Sequence, residues 1–185
     1  HSYNVCYFSV KTAQQAGYDI EDIKTLAIGA LLHDIGKSCI DDNILNKPGR
    51  LTANEFSIVK QHTVLGTKMI DQYSESSLYL PIILYHHERW DGKGYEGLSG
   101  DQIPDLASIV TISDAFDAMT SPRSYQKPKT LTDALKEINE NKGTQFAPHI
   151  VEAFELCTLN ILKNYPDAKD FSSYLKKIFS GVPGT

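Results

Sequence analysis

Cysteine is scarce in this 185-residue chain, and no two cysteines form a Cys-x-x-Cys pair. The three present, Cys6, Cys39 and Cys157, are far apart and odd in number, which argues against a disulfide framework and favours a reducing, cytoplasmic compartment. No apolar run reaches the roughly 18–20 residues of a membrane span, and no signal peptide opens the chain, so we expect no membrane insertion. Positive charge is also in deficit. The formal net charge of −5 argues against DNA as a partner, although a few placed Lys or Arg side chains could still bind a small anion.

The composition that is present belongs to a globular domain, with 41% hydrophobic and 22% charged residues. A chain of this length can bury one substantial core. We therefore expect one domain over residues 1–185, with a core over about 1–155 and C-terminal helices over 156–185. The abrupt start at His1 leads us to expect a fragment of a longer protein.

The spacing of apolar residues predicts an all-α fold, because few stretches alternate with period two. A capping box at Thr52-x-x-Glu55 marks one helix start, and Pro48-Gly49 marks a turn before it. We predict a loop over 38–51 and a longer, functional loop over 88–103. The predicted helices span 2–16, 20–34, 53–73, 76–87, 104–119, 132–142 (capped by Thr132), 148–163 and 167–179.

The second predicted helix ends in a doublet of possible metal ligands, His33 and Asp34. Gly36 follows, which we expect to end the helix, and then Lys37. Imidazole and carboxylate both bind divalent transition metals, and a carboxylate has two oxygens with which to bridge two ions. The doublet alone fits a helix cap with a solvated lysine equally well.

The other histidines favour the metal hypothesis. Two adjacent imidazoles, His86 and His87, end an apolar helix; they are costly to desolvate and repel each other when charged, and metal coordination removes both problems. His62 alone would fit a core histidine, as His149 does. Each candidate lies on or at the end of a different predicted helix, and a bundle can point such positions at one centre. They are His1, His33 with Asp34, His62, His86 with His87, and Asp114.

The two doublets indicate at least two metal ions. Adjacent residues on a helix point about 100° apart, so each doublet can serve two neighbouring ions. Two ions about 3.5–4 Å apart are the usual device of phosphoester hydrolysis. Lys37, one turn beyond His33, and Arg123, in the connector after Asp114, can each reach an oxygen of a bound phosphate.

Two motifs carry a resemblance to a known family. HDIGK at residues 33–37, followed by HHERWDGKGY at residues 86–95, resembles the HD-GYP domain, a branch of the HD superfamily of metal-dependent phosphohydrolases. The resemblance covers the chain from His1 to about residue 155. It includes the segments 45–49, 98–104, 114–118 and 122–125.

The resemblance implies a helical bundle around two or three divalent metal ions, iron or in some cases manganese. It implies hydrolysis of the bacterial second messenger cyclic di-GMP to linear pGpG and on to GMP, in the bacterial cytoplasm. Because we expect the chain to be a fragment, we also expect an upstream sensory or receiver domain, and we expect a homodimer. Carried over by position, Asp34 would bridge and act with Lys37 in catalysis, and Lys37, Gly94, Tyr95 and Arg123 would contact substrate. The metal ligands would be His1, His33, Asp34, His62, His86, His87 and Asp114.

Two departures from the family pattern leave alternatives open. Glu96 stands where the family has the proline of GYP; it adds chain freedom and negative charge beside an anion site, which would weaken cyclic dinucleotide binding. Gln126 stands where some members have a lysine, with Lys127 beside it. The alternatives are hydrolysis of another cyclic dinucleotide or nucleotide, and a non-catalytic sensor or scaffold. Trp90 could then anchor a partner, although we expect it to pack inward and order its loop.

Overall fold

The regular structure is helical throughout the part of the chain that the computed structural model describes, residues 1–122 and 127–164. The one β-type contact there is an isolated bridge between Lys142 and Phe146. The predicted all-α class is confirmed. The α-helices are α1 (Ser2–Ala16), α2 (Ile20–Leu32), α3 (Asp42–Leu45), α4 (Ala53–Lys60), α5 (His62–Ile70), α6 (Leu80–Tyr85), α7 (Asp105–Thr120), α8 (Leu131–Glu140) and α9 (Pro148–Asn164).

Helix α7 lies at the centre of the bundle. Residues 107–113 are all buried, so every face of this helix is covered by its neighbours. Its buried hydroxyls donate to carbonyls one turn earlier, as Ser113 does to Ile109 at 2.8 Å, which removes the cost of burying them. The rings of Phe8 (α1) and Phe154 (α9) pack on Phe116 (α7) at 4.9 and 5.1 Å, edge to face. This packing fixes α1 and α9 against the helix that carries Asp114.

The helix predicted over 53–73 is two helices, α4 and α5, which meet at Gln61. The capping box of Thr52 and Glu55 starts α4 as predicted. Apolar residues keep a helical spacing through Gln61, so the break leaves no mark in the pattern. His62 is therefore the first residue of α5 and not the middle of a long helix.

Other boundaries also differ from the prediction. The fourth helix begins at Leu80, after a 3-10 turn over Ser76–Leu78, and the predicted loop over 38–51 holds α3 and the end of a 3-10 helix, Ile35–Cys39. Thr130 caps α8 in place of Thr132; its hydroxyl accepts from the backbone N–H of Asp133 at 3.1 Å. The helix predicted over 167–179 lies outside the described residues. Within those residues, no helix is both long and apolar enough to cross a membrane.

Candidate metal centre

All the predicted metal ligands meet in two adjacent groups, and within each group one ligand atom per residue lies within 4.8 Å of the others. His33 and Asp34 fall in different groups, as expected of a doublet that serves two ions. His86 and His87 fall in the same group, and how this doublet is divided between ions stays a prediction. The first group is Asp34, His62, His86 and His87; the second is His1, His33 and Asp114.

Three histidines are oriented by one local device. The Nδ1 of His33 lies 2.7 Å from the carbonyl oxygen of Ala30, and His62 and His86 make the same contact to the carbonyls three residues before them, at 2.7 and 2.9 Å. A carbonyl only accepts, so each Nδ1 carries the hydrogen. Each neutral ring therefore has its available lone pair on Nε2, and this atom faces the centre. All three side chains are buried, which fixes them there.

Asp34 stands between the two groups and offers one oxygen to each. Its Oδ2 lies 3.4 Å from the Nε2 of His33 and 3.6 Å from that of His1, whereas its Oδ1 lies 3.3 Å from the Nε2 of His62 and 3.8 Å from that of His86. Burial alone would raise the pKa of Asp34, but the interactions with His1, His33 and His62 around it outweigh burial and hold that pKa well below its usual range. Asp34 is therefore an anion with the geometry of a bridging ligand.

Asp117 completes the second group, and sequence reasoning missed it. It is 1% exposed, and its Oδ2 lies 2.7 Å from the Nδ1 of His1. Its Oδ1 accepts from the Nδ2 of Asn4 at 2.6 Å and from the Oγ of Ser121 at 2.7 Å. The Nε2 of His1 then faces Asp114 Oδ1 at 3.3 Å. The signal was the Asp114-x-x-Asp117 spacing, which puts both carboxylates on one helix face.

The electrostatics differ sharply between the groups. Three carboxylates, first that of Asp114, raise the pKa of His1 to about 11. In the other group, burial lowers the pKa of His87 to about 4 and that of His86 well below its ordinary value. At neutral pH, His86 and His87 are thus neutral and ready to ligate, whereas His1 carries a proton that a metal ion must displace.

The donor set fits divalent transition metals. Within the described residues, His33 Nε2 and Asp34 Oδ1 are buried polar atoms with no hydrogen-bond partner, and both face the centre. Burying such atoms unpaired is costly, and coordination satisfies them. Imidazole nitrogens with carboxylate oxygens suit iron, manganese and zinc.

Gly36 holds the HDIGK segment against α5. A Cβ on Gly36 would lie 2.0 Å from the carbonyl oxygen of His62 and 2.5 Å from the backbone nitrogen of Gly66, so only glycine fits. Helix α2 ends at Leu32, before Gly36, and the prediction that Gly36 ends the helix is wrong. The close contact instead sets the position of Lys37, whose Nζ lies 2.6 Å from Asp34 Oδ2 and whose side chain is 39% exposed.

The loop over 88–103 reaches the first group through Tyr95. The Tyr95 ring lies on that of His87, with centroids 4.6 Å apart, and the Lys60 ammonium lies 4.7 Å from the Tyr95 ring centre. Trp90 packs against the hydrophobic core, which confirms the inward packing that we expected of it. His149, expected to be an ordinary satisfied histidine, lies outside the centre, with Nε2 2.9 Å from Asp105 Oδ1.

An open cleft of about 370 Å³ adjoins the first group, a size typical of small-molecule sites. His87, Asp114 and Arg89 are among its lining residues. Arg123, the second predicted phosphate ligand, and Gln126 lie outside the described residues. Their predicted role stays a prediction.

A helical bundle with two histidine–carboxylate groups joined by one aspartate defines the class of metal-centre proteins to which HD-domain phosphohydrolases belong. A sequence model of the HD domain matches residues 5–150. The chain belongs to the HD domain family, whose phosphohydrolases are metal-dependent.

Similar proteins share this domain within longer chains. The chain is 42% identical over 173 residues to a cyclic di-GMP phosphodiesterase of Thermotoga maritima, covering 92% of this chain and 47% of that protein. It is 35% identical over 155 residues to 3'3'-cGAMP-specific phosphodiesterase 2 of Vibrio cholerae, covering 82% of this chain and 30% of that protein. The chain thus spans about half the length, or less, of these relatives.

The fold likeness extends to solved structures. An HDG"Y"P protein from Bdellovibrio bacteriovorus superposes with a TM-score of 0.69 at 23% identity, over 88% of this chain and 51% of that one. At this identity the likeness supports the fold alone.

Proposed function

We propose that this domain is a metal-dependent phosphodiesterase that hydrolyses cyclic di-GMP to pGpG and on to GMP. One observation carries the proposal: Asp34 turns one oxygen to each of two histidine groups, the arrangement that a paired metal site requires. The similarity to cyclic di-GMP phosphodiesterases supports the choice of substrate. We further propose two or three ions, iron or manganese, held by His1, His33, Asp34, His62, His86, His87 and Asp114.

Metal ions held there would supply Lewis acidity and lower the pKa of water. The chain's own residues bind and orient the substrate. Lys37 keeps its ammonium beside Asp34 with its side chain part exposed, so it can donate to a phosphate oxygen of the substrate. Gly94 and Tyr95 line the substrate side of His87, and Arg123 binds the distal phosphate. The pKa of Asp34 lies well below its usual range, so Asp34 is an anion at neutral pH.

We place this domain, residues 1–185 with a core over 1–155, in a longer bacterial cytoplasmic protein. An upstream sensory or receiver domain would control it, and it would act as a homodimer. DNA is not among the partners we propose, since the net charge is −5.

The test is turnover of cyclic di-GMP by anaerobically purified protein loaded with Fe(II) or Mn(II), with metal content measured on the same sample. We expect pGpG or GMP as product, and a metal-to-protein ratio that separates two ions from three. Asp34→Ala should lose metal and activity together. Turnover by a metal-replete Asp34→Ala protein would refute the assignment.

A second substrate, 3'3'-cGAMP, belongs in the same assay. The chain resembles a cGAMP-specific phosphodiesterase at 35% identity, and Glu96 replaces the proline of the GYP motif. Preferential turnover of 3'3'-cGAMP would reassign the substrate and leave the reaction class intact. A fully metal-loaded protein that cuts neither would indicate a non-catalytic sensor or scaffold.

A further inference from the structure

We propose that Glu88 is a positioning residue that holds the Gly94–Glu96 turn beside the metal centre by accepting the backbone N–H of Glu96. The inference rests on the proposed function, because the turn it holds carries Tyr95. It assigns a role to the backbone N–H of Glu96, the residue that stands in place of the proline of GYP, and none to the Glu96 side chain.

The Glu88 carboxyl group is buried and binds the loop through one of its two oxygens; the other, Oε2, has no hydrogen-bond partner within the described residues. Its side chain is 2% exposed, and its Oε1 accepts from the Glu96 N–H at 2.6 Å, across eight residues of chain. This bond closes the segment 88–96 on itself. Burying a carboxyl group is expensive unless it is hydrogen-bonded, and the Glu96 N–H offsets part of that cost at Oε1.

Gly94 shows how tightly the turn is drawn onto Glu88. A Cβ on Gly94 would lie 2.5 Å from the Cα of Glu88, 2.7 Å from its Oε1 and 2.8 Å from the backbone nitrogen of Arg89. Two of these atoms are backbone and cannot move aside. The chain therefore needs glycine at 94 for the same reason that it needs an acceptor at 88: the turn lies directly against Glu88.

Tyr95 lies between these two fixed points, so their position determines its own. Its ring packs on His87 at 4.6 Å and on Phe56 of α4 at 6.1 Å, with the Lys60 ammonium 4.7 Å from the Tyr95 ring centre. His87 and Glu88 are adjacent in sequence. His87 thus belongs to the candidate metal group and Glu88 holds the turn, so the metal group and the turn are coupled through adjacent residues of the chain.

A proline at position 96 could not make this bond, because proline has no backbone N–H. Glu96 lacks the fixed φ of proline, but its N–H adds a restraint that proline cannot supply. The Glu96 residue itself is exposed. We infer that its backbone does the positioning and that the side chain is dispensable for it.

The test compares variants that separate backbone from side chain. Glu96→Ala and Glu96→Pro both remove the carboxylate, but only the second removes the N–H. Glu88→Met keeps the volume of the side chain and removes the acceptor, whereas Glu88→Gln keeps an acceptor oxygen. We expect the KM for the cyclic dinucleotide to rise about tenfold or more in Glu96→Pro and Glu88→Met, with kcat changing less. In Glu96→Ala and Glu88→Gln it should stay within about threefold of the parent.

A second readout does not depend on activity. In metal-loaded protein, the Glu96 amide should exchange slowly with solvent, and Glu88→Met should expose it while Glu88→Gln largely restores protection. Equal amide exchange in the parent and Glu88→Met proteins would overturn the inference, as would a KM for Glu96→Pro equal to that for Glu96→Ala. If the parent protein cuts no cyclic dinucleotide, the proposed function fails, and amide exchange alone decides this inference.

Discussion

Replacing Asp117 with asparagine tests whether this residue orients His1. The Asp117 side chain accepts three donors, the Nδ1 of His1 at 2.7 Å, Asn4 at 2.6 Å and Ser121 at 2.7 Å. An asparagine has one acceptor oxygen, so its amide N–H₂ must face one of those donors. Outer-shell partners of metal-bound histidines typically contribute about 10–100-fold in affinity, or roughly 1.4–2.7 kcal/mol.

The loss should fall toward the lower end of that range. Asp117 is also among the groups that raise the pKa of His1 to about 11, so its replacement makes the His1 proton easier for a metal ion to displace. We therefore expect Asp117→Asn to weaken metal binding about tenfold at pH 7, as measured by chelator competition.

The matched control is Asp105→Asn, on the same helix. Asp105 also pairs with a histidine, His149 at 2.9 Å, but is 49% exposed and far from the centre. Metal affinity should be unchanged there. Equal affinities for Asp117→Asn, Asp105→Asn and the parent protein would show that Asp117 does not position His1.

Three further predictions concern the same centre. Gly36→Ala should lower the free energy of unfolding by about 1–3 kcal/mol and reduce metal content, because its Cβ would lie 2.0 Å from the His62 carbonyl oxygen. Gly66→Ala, with contacts of 3.0 Å and more, should have a smaller effect on melting temperature and metal content, and equal effects of the two variants would contradict this reasoning. Metal affinity should fall about tenfold per pH unit as pH drops from 8 to 6, because His1, with a pKa of about 11, must lose one proton to bind metal, whereas His87, with a pKa of about 4, is already neutral. A metal affinity that does not change with pH, measured by chelator competition, would contradict this prediction. Chelation should lower the melting temperature, because the free energy of unfolding falls by up to about 4 kcal/mol when the metal had been present at a thousand times its Kd. An unchanged scanning-calorimetry curve would show that no metal was bound.

The ligand residues could be predicted from sequence because adjacent pairs of ligating side chains at helix ends are unusual. His33 with Asp34 and His86 with His87 are visible without any knowledge of packing. Which residues share a group could not be predicted, because that depends on how helices from distant parts of the chain pack. The allocation of His87 is such a case: periodicity places it about 100° from His86, yet both meet the same group.

The break at Gln61 and the role of Gly36 were hidden for a related reason. The apolar spacing from Phe56 to Ile70 continues across Gln61, and no glycine or proline marks the end of α4. Gly36 follows a helix, a position that indicates a helix stop, although its contact is with α5, nearly thirty residues later in the chain. The only sign in the sequence of a close contact between distant segments is a glycine, and a glycine can also indicate a turn or a helix end.

The shared orientation of His33, His62 and His86 has an electrostatic consequence. Each donates to a carbonyl in the last turn of the helix that precedes it, so α2, α4 and α6 all direct their carboxyl ends at one point. The end of a helix carries a partial negative charge of roughly half an electron, and the imidazole between carbonyl and centre relays it. The backbone thus attracts cations to this point before any side chain selects among them. A variant that lacks one histidine ligand would keep this backbone contribution, so an ion seen in such a crystal is no proof of an intact catalytic site.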